Sequence, residues 1–141
     1  MPEYEKQAKV LHARGKLMSV HMDGRLNVLT DLIGRTPIDI IEALHPPPMG
    51  DLPVAEALAL WPDKTIWLGF PGSIYQAGPA ATKRFALDLL REIENGDRFA
   101  IAMSTENQVT NANLRMLTSV LEHAELPVTP EVIERIERSM A

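Results

Sequence analysis

Four places along the chain carry side chains whose types and spacing suit chemistry: His21 with Asp23, Glu42 with His45, Tyr75, and Glu106 with Asn107. Imidazoles and carboxylates gathered on one rim can transfer protons as general acids and bases, or hold a metal through nitrogen and oxygen. His21 and Asp23 stand two apart, so on an extended strand they point the same way. Each residue also has a plainer use: Asp23 as a cap for a helix starting near Arg25, Glu42 as an ion-paired carboxylate, and His45 as a turn residue before three prolines. Tyr75 could pack its loop down, Asp51 suits a turn, and Glu106-Asn107 suits a helix cap.

What makes these residues a set is their position at the ends of apolar runs. The segments 17–21 (LMSVH), 38–44 (IDIIEAL), 65–70 (TIWLGF) and 99–103 (FAIAM) read as strands rich in β-branched and aromatic residues. Helical patterns alternate with them: 3–14, then the apolar positions Leu26, Leu29, Leu32 and Ile33, then 53–61, 80–93 and 111–124, and last 130–140. Thr129-Pro130 forms a cap and first-turn pair for the final helix. The segment 71–79 (PGSIYQAGP) reads as a long glycine-rich binding loop or lid, where Gly69, Pro71 and Gly72 let backbone approach a ligand.

The order is one helix, four βα units and a terminal helix, with spacing suited to right-handed crossovers between parallel strands. The expected fold class is therefore α/β with a parallel (β/α) repeat, in one domain over 1–141: βα units over 16–124 between helices at 3–14 and 130–140. Two architectures fit, a small doubly wound sheet and half of a (β/α)8 barrel. Both place function at the carboxyl ends of the strands. The chain opens on a helix with no strand before it, as a piece of something longer would.

Composition narrows the classes. The chain has 141 residues, 45% hydrophobic and 23% charged, with a net charge of −5. That balance is globular, and its scattered Lys and Arg argue against nucleic acid as a partner. No cysteine is present, so disulfides and thiolate metal ligands are excluded. No apolar stretch reaches membrane-spanning length and the first residues lack a signal-peptide core, which leads to the expectation of a cytoplasmic protein without a membrane partner. No Gly-rich phosphate loop or nucleophile elbow occurs.

The segments VHMDGRLNVLTDLI, IDIIEALHPPPMGDLPVAEAL, KTIWLGFPGSI and FAIAMSTENQV with NANL, taken in order, resemble the C-terminal half of the uroporphyrinogen decarboxylase superfamily, which includes corrinoid and coenzyme M methyltransferases. The resemblance runs from about residue 16 to 124. It implies the second half of a (β/α)8 barrel acting on a small molecule or a tetrapyrrole- or corrinoid-linked substrate. In the methyltransferase branch a His-x-Cys pair and a later Cys bind zinc; this chain keeps His21 and has Asp23 at the Cys position.

The resemblance thus leads to a decarboxylase- or methyltransferase-type domain. Its expected catalytic residues are His21, Asp23, Glu42 and Glu106, and its expected substrate contacts are His45, Tyr75 and Asn107. An N/O site of His21, Asp23 and Glu106 for a divalent metal such as zinc stays open. So does a different class of role, a catalytically silent half barrel that homodimerises or complements a missing N-terminal half.

Overall fold

The computed structural model describes residues 2–93, 95–103 and 109–140. Helix α1 (Pro2–His12) precedes β1 (Ser19–His21), a 3₁₀ turn (Asn27–Leu29) and α2 (Thr30–Gly34). There follow β2 (Ile40–Leu44), α3 (Val54–Leu60), β3 (Thr65–Phe70), α4 (Gly72–Gln76), α5 (Pro79–Glu92), β4 (Phe99–Met103), α6 (Asn111–Glu122) and α7 (Pro130–Ser139). The four strands form one all-parallel sheet in the order β1-β2-β3-β4, interleaved with helices. No described helix is long and apolar enough to cross a membrane.

The chain resolves into two compact units: Met1–Gly69 with Arg98–Ala102, and Phe70–Asp97 with Met103–Ala141. In the first, β2 pairs with β1 and β3 so that His21, Glu42 and Trp67 form one cross-strand row and Val20, Ile41 and Ile66 the next. Ile41, Ile66 and Leu68 are fully buried, on the face opposite the row of His21, Glu42 and Trp67. Trp61, which caps α3, donates its indole N–H to the Thr30 carbonyl at 3.0 Å, so the end of α3 lies against the start of α2, as two crossovers on one side of the sheet would bring them. Strand order explains this: β1→β2→β3 always steps the same way, and crossovers of one hand then lie on one side. Among the described strands the order never reverses, so these four hold no switch point of the doubly wound kind.

Polar side chains close the amino-terminal end of this sheet. Lys64, 1% exposed, donates to the carbonyls of Thr36 at 2.9 Å and Ile38 at 3.1 Å. Arg98 donates to the carbonyls of Trp61, Lys64 and Leu58. Asp39 accepts from the Met18 N–H at 2.6 Å and pairs with His12 at 2.7 Å. Burial pushes the Asp39 carboxyl up, but the Met18 N–H, the His12 bond and charge, and the Lys64 charge together hold it below the ordinary carboxylate value.

Several boundaries differ from the sequence expectation: β2 starts at Ile40 rather than residue 38 and α1 ends at His12 rather than residue 14, and two further differences have a visible cause. Strand β1 starts at Ser19 rather than residue 17, because Asp39 takes the Met18 N–H and leaves Leu17 exposed outside the ladder. The second helix is a 3₁₀ turn plus a short α-helix: of its apolar positions Leu26 and Ile33 are buried, while Leu29 and Leu32 face solvent. The last strand and the last two helices form where their patterns place them, and Thr110 and Thr129 cap α6 and α7 through their side chains.

In the second unit α5 packs against α4, α6 and α7. The loop expected at 71–79 holds α4, and Tyr75 on it is 1% exposed with its ring centroid 4.7 Å from that of Phe70. Its hydroxyl has no hydrogen-bond partner among the described residues, and burial pushes its pKa up to about 12 from 10.0. A folded-state pKa above the unfolded one favours the folded protein fully below pH 10 and less as pH rises toward 12. Melting temperature should therefore hold steady to about pH 10 through this group and fall above it; Tyr75→Phe should flatten that alkaline decline, and an unchanged decline would contradict the assignment.

Candidate active site

The carboxyl end of the sheet is built differently from its amino end. His21 ends β1 and Glu42 is its register partner on β2, and the His21 Nδ1–H donates to Glu42 Oε2 at 2.5 Å. The imidazole is 66% exposed and the carboxylate 29%, so the pair is a solvent-facing dyad. A carboxylate on one ring nitrogen fixes the tautomer and orients the ring.

A β-bulge then places His45. On a regular strand Glu42 and His45, three apart, would face opposite sides. Here the register passes from Glu42↔Trp67 to Leu44↔Leu68, so Ala43 is an extra residue, and its φ of 60° is left-handed, uncommon for a residue with a Cβ. Leu44 consequently falls on the buried side with Leu68, and His45 returns to the face of Glu42. The fit is close: a Cβ on Gly69 would sit 2.6 Å from His45 Cε1 and nearer still to Nε2. His45 therefore lies over Gly69, one layer beyond the row of His21, Glu42 and Trp67.

Asp23 lines a cleft of about 270 Å³ with His21, Tyr4, Met22, Leu26 and Leu29 at the outer side of β1. Asp51 accepts the Asn27 N–H at 3.1 Å, a turn-holding role. The sequence-derived set therefore divides. His21, Glu42 and His45 share one sheet face, and Asp23 shares a cleft with His21. Tyr75 lies buried in the second unit, and Glu106 and Asn107 fall outside the described residues. Among the described residues no three His, Asp or Glu side chains stand close enough to hold a metal ion.

Two contributors escape sequence reasoning. Trp67 reads as a core residue of an apolar run, yet it is 39% exposed because its register puts it on the dyad's face. The bulge at Ala43 has no signal in the residues IIEALH, since alanine marks no left-handed turn. Comparison of the chain with family models, curated proteins and solved structures finds no match.

Proposed function

We propose that this chain is the half-barrel domain of a uroporphyrinogen-decarboxylase-like enzyme, of decarboxylase or methyltransferase type, in which the His21–Glu42 dyad moves a proton on a small-molecule, tetrapyrrole- or corrinoid-linked substrate. The observation that carries the reading is the 2.5 Å bond between register partners at the carboxyl end of a parallel sheet, where (β/α) enzymes hold their chemistry. The strand order without reversal and the contact of α3 with the start of α2 support a barrel segment over a doubly wound sheet. In this role Glu42 orients His21, His21 delivers or accepts the proton, and Asp23 and His45 contact the substrate. A divalent metal would need a third ligand such as Glu106 beside His21 and Asp23; the dyad itself needs none.

Titration with uroporphyrin and, separately, a corrinoid, read by quenching of tryptophan fluorescence, tests this. Wild-type protein should bind one of the two classes. Glu42→Gln and His21→Asn should each weaken binding by roughly tenfold, the worth of one charge-assisted hydrogen bond. The double variant should lose little more than either single one, because the two residues act as a unit. No binding by either class, or equal binding by all variants, would overturn the assignment.

A further inference from the structure

The apolar positions of the second helical pattern divide by burial. Leu26 and Ile33 are buried, while Leu29 and Leu32 stay 40% and 45% exposed. All of them line one cleft of about 270 Å³, which lies wholly in the first unit, between α1, the end of β1 and α2. Leu26 and Ile33 give this cleft an apolar floor. Leu29 and Leu32 leave apolar surface in water that a bound molecule would cover. The volume sets the scale of that molecule: a cavity of about 150 Å³ holds benzene, so about 270 Å³ suits roughly ten heavy atoms.

The charged lining has a definite sign. Asp23 contributes a carboxylate, and among the described residues no lysine or arginine lines the cleft. That carboxylate is exposed and has no hydrogen-bond or ion-pair partner among the described residues. His21, which also lines the cleft, is engaged by Glu42. Tyr4 brings an aromatic ring from α1, a surface that attracts cations and not anions. An unmatched carboxylate on an apolar cleft disfavours an anionic ligand and favours a cation with an apolar body.

We propose that this cleft binds a small organic ammonium ion, with Asp23 on its nitrogen and Leu29 and Leu32 along its apolar body. A primary amine on an aromatic or branched aliphatic group satisfies both halves of the lining. Its ammonium donates charge-assisted hydrogen bonds to the carboxylate, and its body displaces water from the leucines. Bound there, the ligand lies beside His21. The proposal rests on the dyad reading in one respect, that Asp23 contacts the substrate, whose contacting group it names as an amine; the preference of the cleft for a cation does not depend on proton transfer.

Three probes of similar body separate charge from burial: phenethylamine, phenethyl alcohol and phenylacetate, each titrated into the full chain and followed by NMR. The amine should bind about fivefold more tightly than the alcohol, the upper worth of an exposed ion pair, with phenylacetate weaker still. It should also move the His21 imidazole and Tyr4 ring signals. Asp23→Asn should bring the amine down to the alcohol and leave the alcohol unchanged, whereas Leu32→Asn should weaken both alike, with circular dichroism confirming that each variant folds. Equal affinity for amine and alcohol, an amine preference that survives in Asp23→Asn, or no binding of the amine would overturn the proposal. Failure of uroporphyrin and corrinoid to bind while the amine preference holds would overturn the dyad reading and uphold the cation site.

Discussion

Replacing Lys64 by methionine should lower the free energy of unfolding by about 3 kcal/mol, although the residue lies far from the proposed chemistry. The aliphatic stem would be preserved, so the loss isolates the ammonium group. That group donates to the carbonyls of Thr36 and Ile38, which close the segment entering β2, and lies 3.3 Å from Asp63. Its removal leaves two carbonyls without their donor where water has little access, each costing about 1–3 kcal/mol. Urea denaturation should show a lower midpoint with an unchanged slope. A shift within 0.5 kcal/mol, the usual range for surface changes, would mean that the ammonium group does not hold this end of the sheet.

Gly69→Ala should damage the proposed ligand site more than the fold. The new Cβ lands on the outer edge of the His45 ring, within 2.6 Å of Cε1, and its three nearest neighbours are all atoms of that ring. The ring is the movable partner, so the expected result is expulsion of His45 from its place over Gly69 at a stability cost of about 1–3 kcal/mol. Ligand affinity should fall to the level of His45→Ala, and combining the two substitutions should add nothing. Gly50→Ala makes a useful contrast. There a Cβ would overlap the His45 carbonyl and approach the Gly24 carbonyl at 3.0 Å, both backbone, so that variant should unfold at markedly lower denaturant while Gly69→Ala remains folded. Full affinity in Gly69→Ala would place His45 outside the site.

These two expectations sit at opposite ends of one sheet. At its amino end Lys64, Arg98 and Asp39 each hydrogen-bond backbone groups that hold the strand starts. At its carboxyl end the His21–Glu42 dyad faces solvent and His45 lies over a glycine. Parallel (β/α) sheets commonly divide stability and chemistry in this way.

The strands were legible in the sequence because β-branched runs bounded by proline and glycine leave few alternatives: β3 and β4 match their expected bounds at both ends. Positions set by tertiary contacts were not legible. The start of β1 depends on Asp39, twenty-one residues from the N–H it captures. The short helix α4 and the burial of Tyr75 depend on an aromatic cluster with Phe70 and Phe85 that no local pattern announces. In the site, the pairing of His21 with Glu42 follows from two strand ends in parallel register, which spacing suggests. The return of His45 to the same face depends on a left-handed alanine, which spacing argues against.

If His21, Glu42 and His45 share one ligand-facing rim, as proposed, the chain carries its own controls for testing it. Of its four histidines, His21 and His45 belong to that rim; His12 pairs with Asp39 at the other end of the sheet, and His123 follows α6. Imidazole and indole signals in nitrogen-15 NMR spectra, followed during titration with uroporphyrin or a corrinoid, resolve all four histidines and both tryptophans. Shifts are expected at His21, His45 and Trp67, with His12, His123 and Trp61 unmoved. Shifts confined to His12 or His123, or His21 moving while His45 and Trp67 stay fixed, would contradict the shared rim.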